Sequence, residues 1–133
     1  MDTISGNDGS DHLSGGPEGD SHTNILNGNA GDDSIEASGF GDTIFGDEGN
    51  DIISGNIGPD IIHAGPGNDI VLADDGADQI WGDDGDDDLD SGPGDDVFFF
   101  EAVSGGFEVD RVQDVDNGGL DRLDFSALTA GDP

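Results

Sequence analysis

The sequence predicts an all-β chain, a right-handed parallel β-roll: two sheets of very short strands, about 18 residues per turn, ending in a C-terminal capping strand region. Three observations predict it. An acidic or amide residue followed two positions later by an aliphatic residue or Phe recurs with a period of nine. Glycine, 25 of 133 residues, keeps fixed places within that period. The chain also sets 33 acidic side chains against two basic ones, a formal charge of −31, and many of the acids share the phase.

Taken in order, the acidic or amide positions are Asp2, Asp11, Asn24, Asp33, Asp42, Asp51, Asp60, Asp69, Asp78, Asp87 and Asp96. Their apolar partners are Ile4, Leu13, Leu26, Ile35, Ile44, Ile53, Ile62, Val71, Ile80, Leu89 and Phe98. Every interval is nine except the thirteen from Asp11 to Asn24, and every partner is apolar in a chain that is 31% apolar. Chance gives that on the order of once in a million for a fixed register, and disorder needs no phase. Each unit reads as six loop residues and three strand residues. The fourth place is Gly in the units that begin at Gly6, Gly28, Gly46, Gly55, Ala64, Ala73, Gly82 and Ser91, which suits a positive φ or a close neighbour. The unit from Ala37 puts Phe40 there. The segment Gly15–Asn27 carries four extra residues, read as a bulged loop around Glu18–Thr23.

Composition narrows the classes further. The length suits one domain. Low hydrophobicity with high net charge is otherwise the signature of disorder. Nucleic acid and anionic membranes are polyanions and would repel this chain. No apolar run approaches the roughly 20 residues that span a bilayer. Met1 to Leu13 has neither a basic stretch nor an apolar h-region, so no Sec-type signal is expected there. Without Cys there is no disulfide and no zinc–thiolate site. An acidic disordered tail and a chain folded by cations remain, and the period favours the second.

A three-residue strand exists only if another turn stacks on it. Two units make one turn, so alternate units lie on one side. One loop column then carries Asp11, Asp33, Asp51, Asp69 and Asp87; the other carries Asn24, Asp42, Asp60, Asp78 and Asp96. Carboxylates stacked about 5 Å apart repel, and the core between the sheets is thin. The fold therefore calls for counter-ions. Carboxylates and carbonyls are hard oxygen donors; calcium accepts six or more of them, whereas magnesium keeps its water. Zinc would want His or Cys at close spacing, and His12, His22 and His63 form no such set. Four gaps in each column allow up to about eight calcium ions, balancing about half the charge. An EF-hand does not fit: after Asp86, Asp88 and Asp90, Ser91 stands where its Gly belongs and Val97 where its Glu belongs.

After Asp96 the regular period stops. Val97, Phe98, Phe99 and Phe100 lead to Phe107, Val109, Val112, Val115, Leu120, Leu123, Phe125 and Leu128, and both basic residues, Arg111 and Arg122, lie here. An open solenoid end exposes strand edges, so this segment reads as a cap of hairpin-like strands, Asp110–Val115 and Arg122–Phe125, turned by Asn117-Gly118-Gly119. The arginines are expected to pair with Asp110, Asp114 or Asp124 rather than with a ligand. Trp81 is expected on the outer sheet face, with sugar stacking as the lesser alternative, and His63 is expected to be solvated. No nucleophile triad, His-Glu-x-x-His motif or phosphate-cradling loop is present, so no catalytic role is read.

The unit G-G-x-G-x-D-x-U-x, matched by residues 2–99, resembles the RTX (repeats-in-toxin) nonapeptide, a calcium-binding β-helix repeat. The resemblance implies a parallel β-roll over residues 1–99 with the extra-residue loop at 15–27. It implies that loop carbonyls join the sixth-place Asp or Asn as ligands, here those of Gly28, Ala30, Gly31, Gly46, Glu48, Gly49, Gly55, Gly58, Gly65, Gly67, Gly76, Gly82, Gly85 and Gly94. Asn29, Asp47, Asn56, Asp74 and Asp83 stand where the second Gly belongs. Residues 100–133 resemble the C-terminal cap of serralysin-type proteases and of the R-modules of alginate epimerases, through Asp96-Val97-Phe98, Asp110–Val115 and Gly119–Leu128. The same resemblance implies a non-catalytic, monomeric module of an exported protein, folded by calcium outside the cell after type I-like secretion. The alternative is a calcium-dependent polysaccharide-binding module or an adhesin segment. The chain opens in the strand half of a unit, Asp2-Thr3-Ile4-Ser5, as a fragment of a longer array would.

Overall fold

A strand of three residues buries one side chain and has no stability alone. The chain meets this by winding, so that each strand lies between its equivalents one turn away. The computed structural model describes residues 1–17, 22–100, 109–113 and 120–124. The strands are β1 (Thr3–Asp8), β2 (His12–Ser14), β3 (Ile25–Ala30), β4 (Ser34–Glu36), β5 (Thr43–Glu48), β6 (Ile52–Ser54), β7 (Ile61–His63), β8 (Ile70–Leu72), β9 (Gln79–Trp81), β10 (Asp88–Asp90), β11 (Val97–Phe99), β12 (Arg111–Gln113) and β13 (Arg122–Asp124). One sheet takes the odd strands in order from β1 to β13, the other the even strands from β2 to β12. All pairings are parallel, and the chain is a β-solenoid of about 5 turns with about 18 residues in each.

The register explains the core. Each central strand residue stacks on the central residue of the next turn: Leu26 on Ile44, Ile44 on Ile62 and Ile62 on Ile80 in one sheet, Ile35 on Ile53 and Ile53 on Val71 in the other. Leu26, Ile44, Ile53, Ile62, Val71 and Ile80 are fully buried. Ala37, Ala64 and Ala73, at the first loop place, fill the space beside them. Between the first two turns the offset is 22 residues, Thr3 facing Ile25 and His12 facing Ser34. The flanking strands keep their parallel register across the four extra residues. Residues 18–21 of the expected bulge lie outside the described residues.

The second loop place takes a left-handed backbone in every described loop but the one that leads to Asp42. Asn7, Asn29, Asp47, Asn56, Asp74 and Asp83 adopt it with φ between 66° and 77°. Asn and Asp tolerate this region best among residues with a Cβ, which is why they replace glycine there.

The cap is not a hairpin. Strand β12 extends the even sheet beside β10, and β13 extends the odd sheet beside β11, both parallel. Two strands on opposite sheets cannot pair with each other, so these segments are two further half-turns of the roll. The expected turn at Asn117-Gly118-Gly119, with Phe107, Val115, Phe125 and Leu128, lies outside the described residues.

Candidate metal centre

The loops stack as regularly as the strands and bring the sixth-place residues into two columns. In column one each backbone N–H donates to Oδ1 one turn on: Asp11 to Asp33 (2.7 Å), Asp33 to Asp51 (2.7 Å), Asp51 to Asp69 (2.8 Å) and Asp69 to Asp87 (2.8 Å). In column two Asn24 donates to Asp42 (2.5 Å), Asp42 to Asp60 (2.6 Å), Asp60 to Asp78 (2.8 Å) and Asp78 to Asp96 (2.8 Å). All ten expected residues therefore stand where the period places them, and from Asn24 onward they are buried.

These bonds occupy Oδ1. The Oδ2 atoms of Asp11, Asp33, Asp51, Asp60, Asp69 and Asp78 are buried and have no hydrogen-bond partner. A carboxylate oxygen stripped of water without a donor is costly, so a row of them points to a missing positive group. Asp42 differs, its Oδ2 accepting from the Ser38 N–H at 2.9 Å and the Ser38 hydroxyl at 3.0 Å.

Beside the Oδ2 atoms of Asp33, Asp51, Asp60 and Asp87 the space is kept open by glycine. A Cβ on Gly28 would stand 2.5 Å from both Asp33 Oδ2 and the Gly46 carbonyl oxygen of the next turn. On Gly55 it would stand 2.6 Å from both Asp60 Oδ2 and the Ala73 oxygen, and on Gly82 2.5 Å from Asp87 Oδ2. On Gly46 it would meet Asp51 Oδ2 and the Ala64 oxygen. At the fourth place the carbonyls of Gly31, Gly49, Gly58, Gly67 and Gly76 lie against Gly49, Gly67, Gly76, Gly85 and Gly94 of the next turn. Gly65 lies against the Asp47 carbonyl in the same way. The Ala30 and Glu48 carbonyls also accept the N–H groups of Gly9 (2.6 Å) and Gly31 (2.7 Å), leaving one lone pair each.

Among the described residues no group of three or more His, Asp or Glu side chains is arranged as a metal cluster. A cation between turns therefore meets few carboxylates and completes its shell from backbone carbonyls. That all-oxygen donor set fits calcium and lacks the nitrogen or sulfur that zinc sites use.

Electrostatics agree with the geometry. Burial pushes Asp60 up to about 8, Asp69 and Asp78 to about 7 and Asp51 to about 6, from an ordinary 3.8. The N–H bond from the preceding turn opposes burial in each case, and neighbouring aspartates push the same way as burial. Asp96 and Asp110 are raised for the same leading reason. A cation in the gaps reverses that balance and favours the carboxylates.

Three residues join the columns beyond the ten expected. Asp2 heads column two, its N–H donating to Asn24 Oδ1 at 3.3 Å. Asp110 and Asp121 extend the columns at the other end, accepting from Asp87 N–H (3.3 Å) and Asp96 N–H (3.0 Å). The signal for these last two is present as Asp110-x-Val112 and Asp121-x-Leu123, the same Asp-x-aliphatic unit at longer intervals.

The residues outside the columns sort differently. Arg122 pairs with Asp124, as expected, and Arg111 reaches Asp88 on the adjacent strand (3.2 Å); Asp114 lies outside the described residues. His63 is half-buried and keeps partial contact with solvent: it stacks between Phe45 (5.5 Å between centroids) and Trp81 (4.3 Å), with Nδ1 3.4 Å from Asp83 Oδ2. Trp81 is covered on its other face by Phe99 at 4.1 Å. Both faces of the indole are occupied, so it offers no platform for a sugar ring.

Comparison with curated proteins gives no match. A family model, RTX calcium-binding nonapeptide repeat, matches residues 2–21, 18–39, 27–62, 36–71 and 63–98. These matches together cover the strands β1 to β10, most of β11 and both aspartate columns from Asp2 to Asp96, and that repeat is a structural calcium-binding module. The chain belongs to the RTX calcium-binding nonapeptide repeat family.

Proposed function

We propose that this chain is a calcium-dependent folding module of an exported protein, unfolded where calcium is scarce and folded outside the cell. The observation that carries the reading is the row of buried Oδ2 atoms with no donor, those of Asp33, Asp51 and Asp60 lying beside glycines and the carbonyls of the next turn. Without a counter-charge those carboxylates oppose the fold; with calcium they become its fasteners. Extracellular modules work at about 10⁻⁴ to 10⁻³ M calcium, above the range of cytosolic sensors, so one chain is unfolded in one compartment and folded in the other. An unfolded chain suits export through a narrow conduit, and folding on the far side opposes its return. The sixth-place Asp residues supply the carboxylates and the first- and fourth-place residues the carbonyls, for up to about eight ions.

Circular dichroism during a calcium titration tests this. Strand signal is expected to be absent in excess chelator and to appear cooperatively with calcium. A full strand signal in chelator would refute calcium-driven folding. An equal response to magnesium at the same concentration would refute the size-selective site.

A further inference from the structure

One loop of the roll departs from the others. Elsewhere the second place is left-handed, as at Asn29, Asp47 and Asn56, and at Gly65 and Gly92. Ser38 holds that place in the loop leading to Asp42 and has no positive φ. Its N–H instead donates inward to Asp42 Oδ2 at 2.9 Å, and its hydroxyl is 3.0 Å from the same oxygen. In the preceding turn Asn24 takes the place of an aspartate. Its Nδ2 donates to the Gly15 carbonyl (3.1 Å) and to Ser38 Oγ (3.1 Å). Ser38 is fully buried, and Asn24 and Asp42 are 2% and 3% exposed.

In the other turns oxygens face the gap. Here N–H and O–H groups already occupy those oxygens, so Asp42 Oδ2, the Gly15 carbonyl and Ser38 Oγ are engaged within the protein. The carboxylate oxygen that stays unpaired at Asp60 and Asp78 is satisfied at Asp42 by the protein itself. The amide at Asn24 also removes one negative charge at the place where no cation would balance it.

We infer that the gap between the Asn24 and Asp42 turns takes no calcium ion: a clasp of Gly15, Asn24, Ser38 and Asp42 closes it with hydrogen bonds. This rests on the calcium reading of the other gaps. The clasp lies where the offset between turns changes from 22 to 18 residues, so it fixes the register at a joint the regular repeat cannot set. Column two accordingly holds one ion fewer than its gaps would allow.

The test is the number of calcium ions bound by the full chain, counted by native mass spectrometry and by titration calorimetry. Ser38→Ala is expected to keep the wild-type count. The double change Asn24→Asp with Ser38→Gly restores the carboxylate and the residue that favours positive φ, and is expected to gain one ion. Asp60→Asn, outside the clasp, is expected to lose at least one. A wild-type chain that binds no calcium would refute the functional reading as a whole. A wild-type chain that binds calcium while Ser38→Ala binds fewer ions, or while the double variant gains none, would overturn the clasp alone.

Discussion

Column one carries a second ladder outside the first; column two does not. At the fifth loop place of column one stand Asp32, Asn50, Asn68 and Asp86. Asn50 N–H donates to Asp32 Oδ1 (2.8 Å), Asn68 N–H to Asn50 Oδ1 (2.9 Å), Asp86 N–H to Asn68 Oδ1 (3.0 Å) and Val109 N–H to Asp86 Oδ1 (2.9 Å). At the same place in column two stand Gly41, Pro59 and Ala77, which have no side-chain acceptor, before Asp95 resumes the pattern with Leu120 N–H at 2.8 Å. The middle of column two is therefore held by its buried aspartates, while column one has a solvent-side set of bonds that needs no metal. The contrast teaches that one nonapeptide can make loops of unequal calcium dependence, by what stands beside the aspartate rather than by the aspartate itself.

The largest expected effect breaks or keeps that contrast directly. Asp60 lies between two gaps in the unsupported column, so Asp60→Ala removes a carboxylate from both. The calcium concentration at half-folding is expected to rise at least about tenfold, about 1.4 kcal/mol. Asp51→Ala makes the same cut in column one, where Asn50 and Asn68 still tie the turns, and the rise is expected to be about threefold. Dichroism titrations of the two variants check this, and equal shifts would erase the distinction between the columns.

Proton titration sharpens the contrast in the absence of calcium. Asp51, Asp60, Asp69 and Asp78 are raised in the folded chain above their unfolded 3.8. A group raised on folding contributes stability that is present below the unfolded value and lost as pH rises through the folded one. The calcium-free chain should therefore gain strand signal on acidification and lose it as pH climbs through about 6 to 8. Asp60, near 8, should take up its proton at a higher pH than Asp51, near 6. Side-chain carboxyl NMR in chelator reads both, and either a reversed order or no acid-induced strand signal would contradict the burial that separates them. With calcium present the direction inverts, because protons then compete with the ion for the same oxygens.

Much of this is legible in the residues alone. Ile44, Ile53 and Ile62 declare the core because a strand buries its central residue, and Asp51 and Asp60 declare the columns because they keep phase with it. Whatever breaks the nine-residue interval is harder to read. Asp110 and Asp121 extend the columns across longer connections, which a fixed-period reading discards. The stack of Phe45, His63, Trp81 and Phe99 is available in principle, since those residues are spaced by one full turn. It becomes visible only when turns rather than repeats are compared. The Ser38 clasp depends on a backbone that declines the left-handed conformation, and Ser next to Gly39 announces that only weakly.

The smallest effect isolates the outer ladder itself. Asn50→Ala with Asn68→Ala removes two exposed side chains that accept backbone N–H groups, and leaves every buried aspartate in place. An exposed hydrogen bond contributes about 1 kcal/mol at most, since water replaces the lost partner. The double variant is expected to bind the same number of ions and to fold at a calcium concentration raised by a few-fold or less. Its local effect should be clearer: amide exchange in calcium should quicken at position 68 and at Asp86, whose acceptors are lost, and stay unchanged at Asp60 and Asp78. Faster exchange in both columns would mean that the outer ladder supports the roll as a whole. No change at either would mean that bound calcium alone sets the stability of column one, and the two columns would then differ in sequence but not in mechanism.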